Sequence, residues 1–290
     1  MSLTAKGIPF GFLRESWSIQ FQHGRIEPVA DFDETRKWVM KMVNADGYLY
    51  PPIGGIETTT LDGKKWRTIP KTKRPAHVYR LPASHILYLD LPMPERDVRH
   101  GSAGFVLHLL AFLLRTRLQF ADWLTDGRIP IEKACGGGGV NVWNRVQAGK
   151  CLSEGHARWL NWPSSVQRRF TVILYMFCRA PSHESDWEEF IIEYMILDAL
   201  WKCAADLFGL KSNRHGERVQ KLCVHFAITL EPGFLSIKKM VEVRNDLFHE
   251  SLWFGGQPGF GHHAVHFPYD MPMRMWILNR MLIGRFLGLA

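Results

Sequence analysis

At 290 residues the chain can bury a sizeable core in one large or two modest domains. Its 46% hydrophobic and 22% charged residues are ordinary globular usage, which excludes a disordered or fibrous protein. Its 36 basic residues against 28 acidic ones give a net charge of +8, a balance that favours a polyanionic partner such as nucleic acid.

The first residues, MSLTAKGIPFGF, lack the apolar stretch of a signal peptide. In WSIQF, Trp17, Ile19 and Phe21 alternate as in a half-buried strand, and SHILYLDLP is a short apolar run closed by proline. Between them, residues 63–80 carry Lys64, Lys65, Arg67, Lys71, Lys73, Arg74 and Arg80 around Trp66 and Tyr79, without an acidic residue. Lys71, Lys73 and Arg74 can track phosphates and Trp66 can stack on a base, which makes them candidate RNA-binding residues. A solvated, proline-broken loop is the competing reading.

The most apolar run, AGFVLHLLAFLL at 103–114, falls below the ~18 residues of a membrane span and reads as a buried helix. The glycine-rich ACGGGGVNVW at 134–143 marks a flexible joint, and it lacks the lysine and hydroxyl residue of a phosphate-binding loop. The chain is therefore divided into a mixed α/β domain over 1–145 and an all-α helical bundle over 146–290, an α+β class overall. Cys135, Cys151, Cys178, Cys203 and Cys223 are widely spaced with no C-x-x-C pair, as expected of reduced thiols in a cytoplasmic protein.

Beyond the joint the periodicity is helical. SVQRRFTVILYMFCRA suggests one helix, and a longer one opens with a Ser185-x-x-Glu188 capping box. Along it Phe190, Tyr194, Leu197, Trp201, Ala204 and Phe208 recur at helical spacing. Val219, Leu222 and Phe226 form a third stripe, and Met275, Leu278, Leu282 and Phe286 a last one. His108 and His225, in apolar helices, read as satisfied core residues. His262, His263 and His266 of GHHAVH have no spaced carboxylate or cysteine to complete a metal site, so neither metal nor cofactor is expected there.

One helix holds an anomaly. In IKKMVEVRNDLFHESLW, Ile237, Met240, Val241, Leu247 and Phe248 fall in one stripe at about 100° per residue, and Arg244 falls inside it. Asn245 and His249, four apart, share the flank. A guanidinium there is either compensated by Glu193 or Asp198 of the long helix or faces a functional cleft. Two other arginine-histidine pairs, Arg80 with His85 and Arg218 with His225, lack this setting: the first contains a proline and the second has valine after the arginine.

RNDLFH resembles the R-x4-6-H motif of HEPN-domain ribonucleases, including the polar residue after the arginine. The helical pattern over roughly residues 165–290 is similar to the ApeA-like branch of that superfamily, associated with antiphage defence. The resemblance implies a HEPN-like bundle and a metal-independent endoribonuclease, a defence or toxin effector, with Arg244, Asn245 and His249 as catalytic residues. It also implies a homodimer, or a higher even-numbered oligomer, in which two motifs meet across a cleft. The chemistry suits the residue types: attack by the RNA 2′-hydroxyl builds charge on the phosphate that an arginine fork can hold, and a histidine can move the proton. A non-catalytic dimeric scaffold or RNA-binding module is the alternative that the same resemblance leaves open.

Overall fold

The computed structural model describes residues 7–49, 58–59, 65–66, 81–90, 101–121, 128–131, 144–183, 185–258 and 270–289. The fold is mixed α+β, strands in the first half and helices in the second, and it divides into two compact units, 1–90 with 116–134 and 91–115 with 135–290. This differs from a cut at 145: residues 91–115, with the apolar run, belong to the helical unit.

In the first unit, β1 (Ile8–Gly11), β2 (Ile19–Phe21), β3 (Gly24–Pro28), β7 (His85–Leu89) and β8 (Gln119–Phe120) make a five-stranded antiparallel sheet in the order β2-β3-β7-β1-β8. Of the alternating Trp17, Ile19 and Phe21, the last two are in the core and Trp17 is half-buried, while Ile26 of β3 and Leu87 and Leu89 of the apolar run in β7 are buried as well. The helix α1 (Phe32–Met40) follows β3, and its Phe32 meets His85 edge to face. The short β4 (Tyr48–Leu49) pairs with β9 (Ile129–Pro130), and β5 (Thr58–Thr59) with β6 (Lys65–Trp66), Thr58 opposite Trp66. Lys71, Lys73, Arg74 and Arg80 lie outside the described residues, as do His262, His263 and His266.

The second unit is built on α2 (Ser102–Leu114), α3 (Arg145–Leu160), α4 (Ser164–Arg179), α5 (Asp186–Phe208), α6 (His215–His225), α7 (Ile237–Asn245) and α8 (Met271–Leu287). Every α2 residue from Ala103 to Leu113 is buried, because α2 packs on α3 and α4. That is the environment an all-round apolar helix requires, and each large side chain so covered contributes about 1.5–3 kcal/mol. Gly155 of α3 is part of the fit: a β-carbon there would stand 2.8 Å from a Leu109 methyl carbon.

The long α5 packs on both α4 and α8, and ends at Gly209 in the left-handed region at φ 69°. Its apolar stripe is buried from Phe190 to Ala204, while Phe208 is exposed. Ser185 does occupy the N-cap, but its side chain makes no capping hydrogen bond; Glu188 instead reaches His183 Nδ1 at 3.8 Å. Met275, Leu278, Leu282 and Phe286 of α8 are all buried. His108 is buried as expected, whereas His225 is exposed at the end of α6, its ring against Phe208 and Phe226. Cys151, Cys178, Cys203 and Cys223 are free and buried, and among the described residues no helix is long and apolar enough to cross a membrane.

Candidate active site

Three helices of the second unit, α5, α6 and α7, bring the polar side chains of the site together. Ser236 starts α7 by accepting a hydrogen bond from the Lys239 amide, and Met240 and Val243 fasten the helix to the core. After Asn245 the backbone widens. Asp246–Glu250 form one π-helical turn, closed by a hydrogen bond from the Ser251 amide to the Asp246 carbonyl, with Ser251 at φ 54°.

The wide turn changes which side chains meet. In a regular α-helix, five steps of about 100° leave positions i and i+5 about 140° apart. A π turn brings i+5 back above i. Arg244 Nη1 accordingly donates to Asn245 Oδ1 at 3.0 Å and lies 3.2 Å from His249 Nε2, five residues on. The apolar face is also different from the expected one. Met240, Val243 and Leu247 are buried, Val241 is half-buried, and Phe248 is turned out to 47% exposure.

Arg244 is half-buried, and its partners carry no negative charge. Its guanidinium carbon stands 5.1 Å from the Phe248 ring centroid and 6.0 Å from that of Tyr194. Its Nε is buried with no hydrogen-bond partner among the described residues. Neither carboxylate considered as a counter-ion pairs with it. Glu193 is buried and accepts from Asn279 Nδ2 at 2.7 Å, while Asp198 lies 3.1 Å from Arg218 Nη1 and 3.5 Å from His215 Nδ1.

Those last contacts belong to a polar cluster that the sequence reading did not isolate. Tyr194 and Asp198, one turn apart on α5, face His215 and Arg218 on α6, and the Tyr194 hydroxyl is 2.8 Å from His215 Nδ1. Tyr194 counted only as one member of an apolar stripe, and Arg218 only as half of a dismissed pair. A tyrosine and an aspartate four apart on an apolar helix were the available signal. Burial pushes the Tyr194 hydroxyl up to about 12, with Asp198 adding to the shift and Arg244 and Arg218 opposing it, so the phenol stays protonated. Burial lowers the His215 pKa, Asp198 opposes this, and Arg218 and Arg244 reinforce it.

Elsewhere the other arginine-histidine pairs resolve differently. His85 is a buried strand residue stacked on Phe10, its pKa lowered to about 4 chiefly by burial, and Arg218 turns to Asp198 rather than to His225. Among the described residues no group of three potential ligands could hold a metal ion. No protein-family model matches the chain, and comparison with curated proteins and with solved structures returns no match.

Proposed function

We propose that the protein is a metal-independent endoribonuclease of HEPN type, a defence or toxin effector, in which Arg244 holds the scissile phosphate and His249 and Asn245 assist. One observation carries the reading: among the described residues no carboxylate pairs with Arg244, neutral acceptors from Asn245 and His249 stand beside it, and its buried Nε has no partner. An anion supplies what that fork lacks, and a phosphate matches its geometry. As the 2′-oxygen attacks phosphorus, negative charge grows on the nonbridging oxygens, where a fixed guanidinium lowers the barrier. His249 handles a proton at the reacting oxygens. The same resemblance supplies a second copy of the chain as partner, packed through the helical unit, with the exposed Phe248 as the apolar group beside the guanidinium for that contact to cover.

The test is incubation of purified protein with mixed-sequence RNA in EDTA, followed by end analysis. The expected products carry 2′,3′-cyclic phosphate and 5′-hydroxyl ends, and Arg244→Ala or His249→Ala removes most of the cleavage. Strict dependence on magnesium or manganese, or 5′-phosphate ends, rules the mechanism out. RNA binding without cleavage would identify a scaffold instead.

A further inference from the structure

Two histidines from different elements are linked to the Arg244 guanidinium, one directly and one through Tyr194. His249 contacts Nη1 directly at 3.2 Å. His215 reaches it through Tyr194, whose hydroxyl is 2.8 Å from His215 Nδ1 and whose ring centroid is 6.0 Å from the guanidinium carbon. We propose that His215 and His249 form an acid-base pair within a single chain, His215 accepting the proton of the RNA 2′-hydroxyl and His249 protonating the departing 5′-oxygen. This rests on the ribonuclease reading and assigns the second proton-handling group, which a site built from His249 alone would have to take from another subunit.

The surroundings of His215 suit a base. Its Nδ1 faces Tyr194 and Asp198 of α5 and Arg218 of its own helix, at 2.8, 3.5 and 3.4 Å. Arg218 can only donate, and it donates to Asp198. We assign the proton to Nδ1, which faces the Tyr194 oxygen at 2.8 Å and the acceptor-only Asp198 carboxylate at 3.5 Å; the 3.4 Å approach of Arg218 is then no hydrogen bond, and Nε2 carries the lone pair. No hydrogen bond engages Nε2 among the described residues, and the side chain is 30% exposed. The remaining charges nearby are Arg214 and Glu217 on the first turn of α6, paired with each other at 3.6 Å, and Arg244 from α7. Burial and the two arginines, Arg218 and Arg244, shift His215 toward the neutral ring that a base needs, against the opposing pull of Asp198.

His249 suits the opposite role. Its Nε2 now accepts from Arg244, so a phosphate that takes over this N–H frees Nε2 to face the departing oxygen. In the step itself the O2′–P bond forms and the P–O5′ bond breaks. The O2′ proton ends on His215 and the O5′ proton comes from His249. Exchange with water then restores both rings, and no redox change occurs.

The test uses His249→Ala and His215→Asn, the asparagine keeping a donor where Nδ1 stood, on mixed-sequence RNA and on ribonucleoside 3′-(4-nitrophenyl phosphates), whose leaving group departs without a proton. Both variants should lose about 100-fold or more on RNA. On the nitrophenyl esters His249→Ala should return to within about tenfold of wild type while His215→Asn stays low. In the kcat/KM profile on RNA, His215→Asn should lose the rise on the acid side. That profile decides alone if the esters are not turned over. A His215→Asn enzyme with wild-type cleavage and an intact acid limb overturns the pair but leaves the ribonuclease reading standing on His249. Wild-type protein that yields no cyclic-phosphate ends removes both.

Discussion

An arginine held only by neutral groups responds to substitution differently from one in an ion pair. Removing one partner of a buried pair costs about 3–5 kcal/mol because a charge is left behind. Arg244 leaves none behind, since Asn245, His249, Tyr194 and Phe248 are uncharged in these contacts. Arg244→Lys and Arg244→Ala should therefore melt within a few degrees of wild type. Lysine should recover little of the cleavage lost in alanine, because a point charge does not reproduce the two-pronged fork. Thermal melts alongside end-labelled RNA assays read both quantities, and a large stability loss in Arg244→Ala would return the side chain to a structural role. The unusual arginine was legible in the sequence, since its position broke an apolar stripe. Its neighbours Tyr194 and His215 were not, because the contact joins helices whose docking no local pattern specifies.

At the scale of the element, the π turn separates what periodicity could and could not deliver. Counting at about 100° per residue assumes an α-helix throughout, so it set Phe248 in the apolar stripe with Arg244, and Asn245 and His249 on the flank. The one wide turn at 246–250 turns Phe248 outward and brings His249 onto the Arg244 guanidinium. The longer helices obey the count because burial along their whole length fixes the register, as in α8. The α5–α8 contact also carries a titratable clamp. Asn279 Nδ2 donates to Glu193 Oε2 at 2.7 Å and to the Glu193 carbonyl at 2.8 Å, both residues being buried. Burial raises the Glu193 carboxyl from 4.5 to about 8, opposed by the Asn279 hydrogen bond and reinforced by the charge of Glu189. A raised carboxyl pKa means the folded state binds the proton more tightly. Its stabilising contribution is thus full at low pH and is lost as pH rises between about 4.5 and about 8. Denaturant titrations across that window should show wild-type stability falling by up to ~1.4 kcal/mol per pH unit relative to Glu193→Gln. Parallel curves for the two proteins would show that the carboxyl is ionised throughout.

For the whole molecule, the change from strands to helices was legible in the residue pattern, but the boundary was not. The glycine-rich stretch drew the division to 145, yet a helix as apolar as α2 must be covered on all sides, and the covering is α3 and α4. The RNA-binding role proposed for the basic run that includes Lys71, Lys73 and Arg74 belongs to this scale too, and it rests on charge rather than chemistry. Replacing those three with alanine should weaken RNA binding and flatten its salt dependence while turnover at saturation changes little. An unchanged slope of affinity against salt leaves the run as a solvated loop.

The arrangement of sites among subunits can be read by complementation. If each chain carries its own acid-base pair, mixing His215→Asn chains with His249→Ala chains under exchange conditions restores nothing, and mixing wild type with the double variant gives activity proportional to the wild-type fraction. A composite site across a two-fold axis predicts the reverse: mixed dimers of the two single variants hold one intact constellation, so activity reappears toward a quarter of wild type for random pairing and one working site of two. Mass measurement on the mixtures establishes that exchange has occurred. The first pattern is expected because, in one chain, His249 contacts the Arg244 guanidinium and His215 contacts Tyr194, whose ring centroid is 6.0 Å from that guanidinium carbon. Under that geometry a dimer widens the surface that holds RNA without completing the chemistry, and restored activity in the mixed single variants would transfer one of the two proton-handling roles to the opposite subunit.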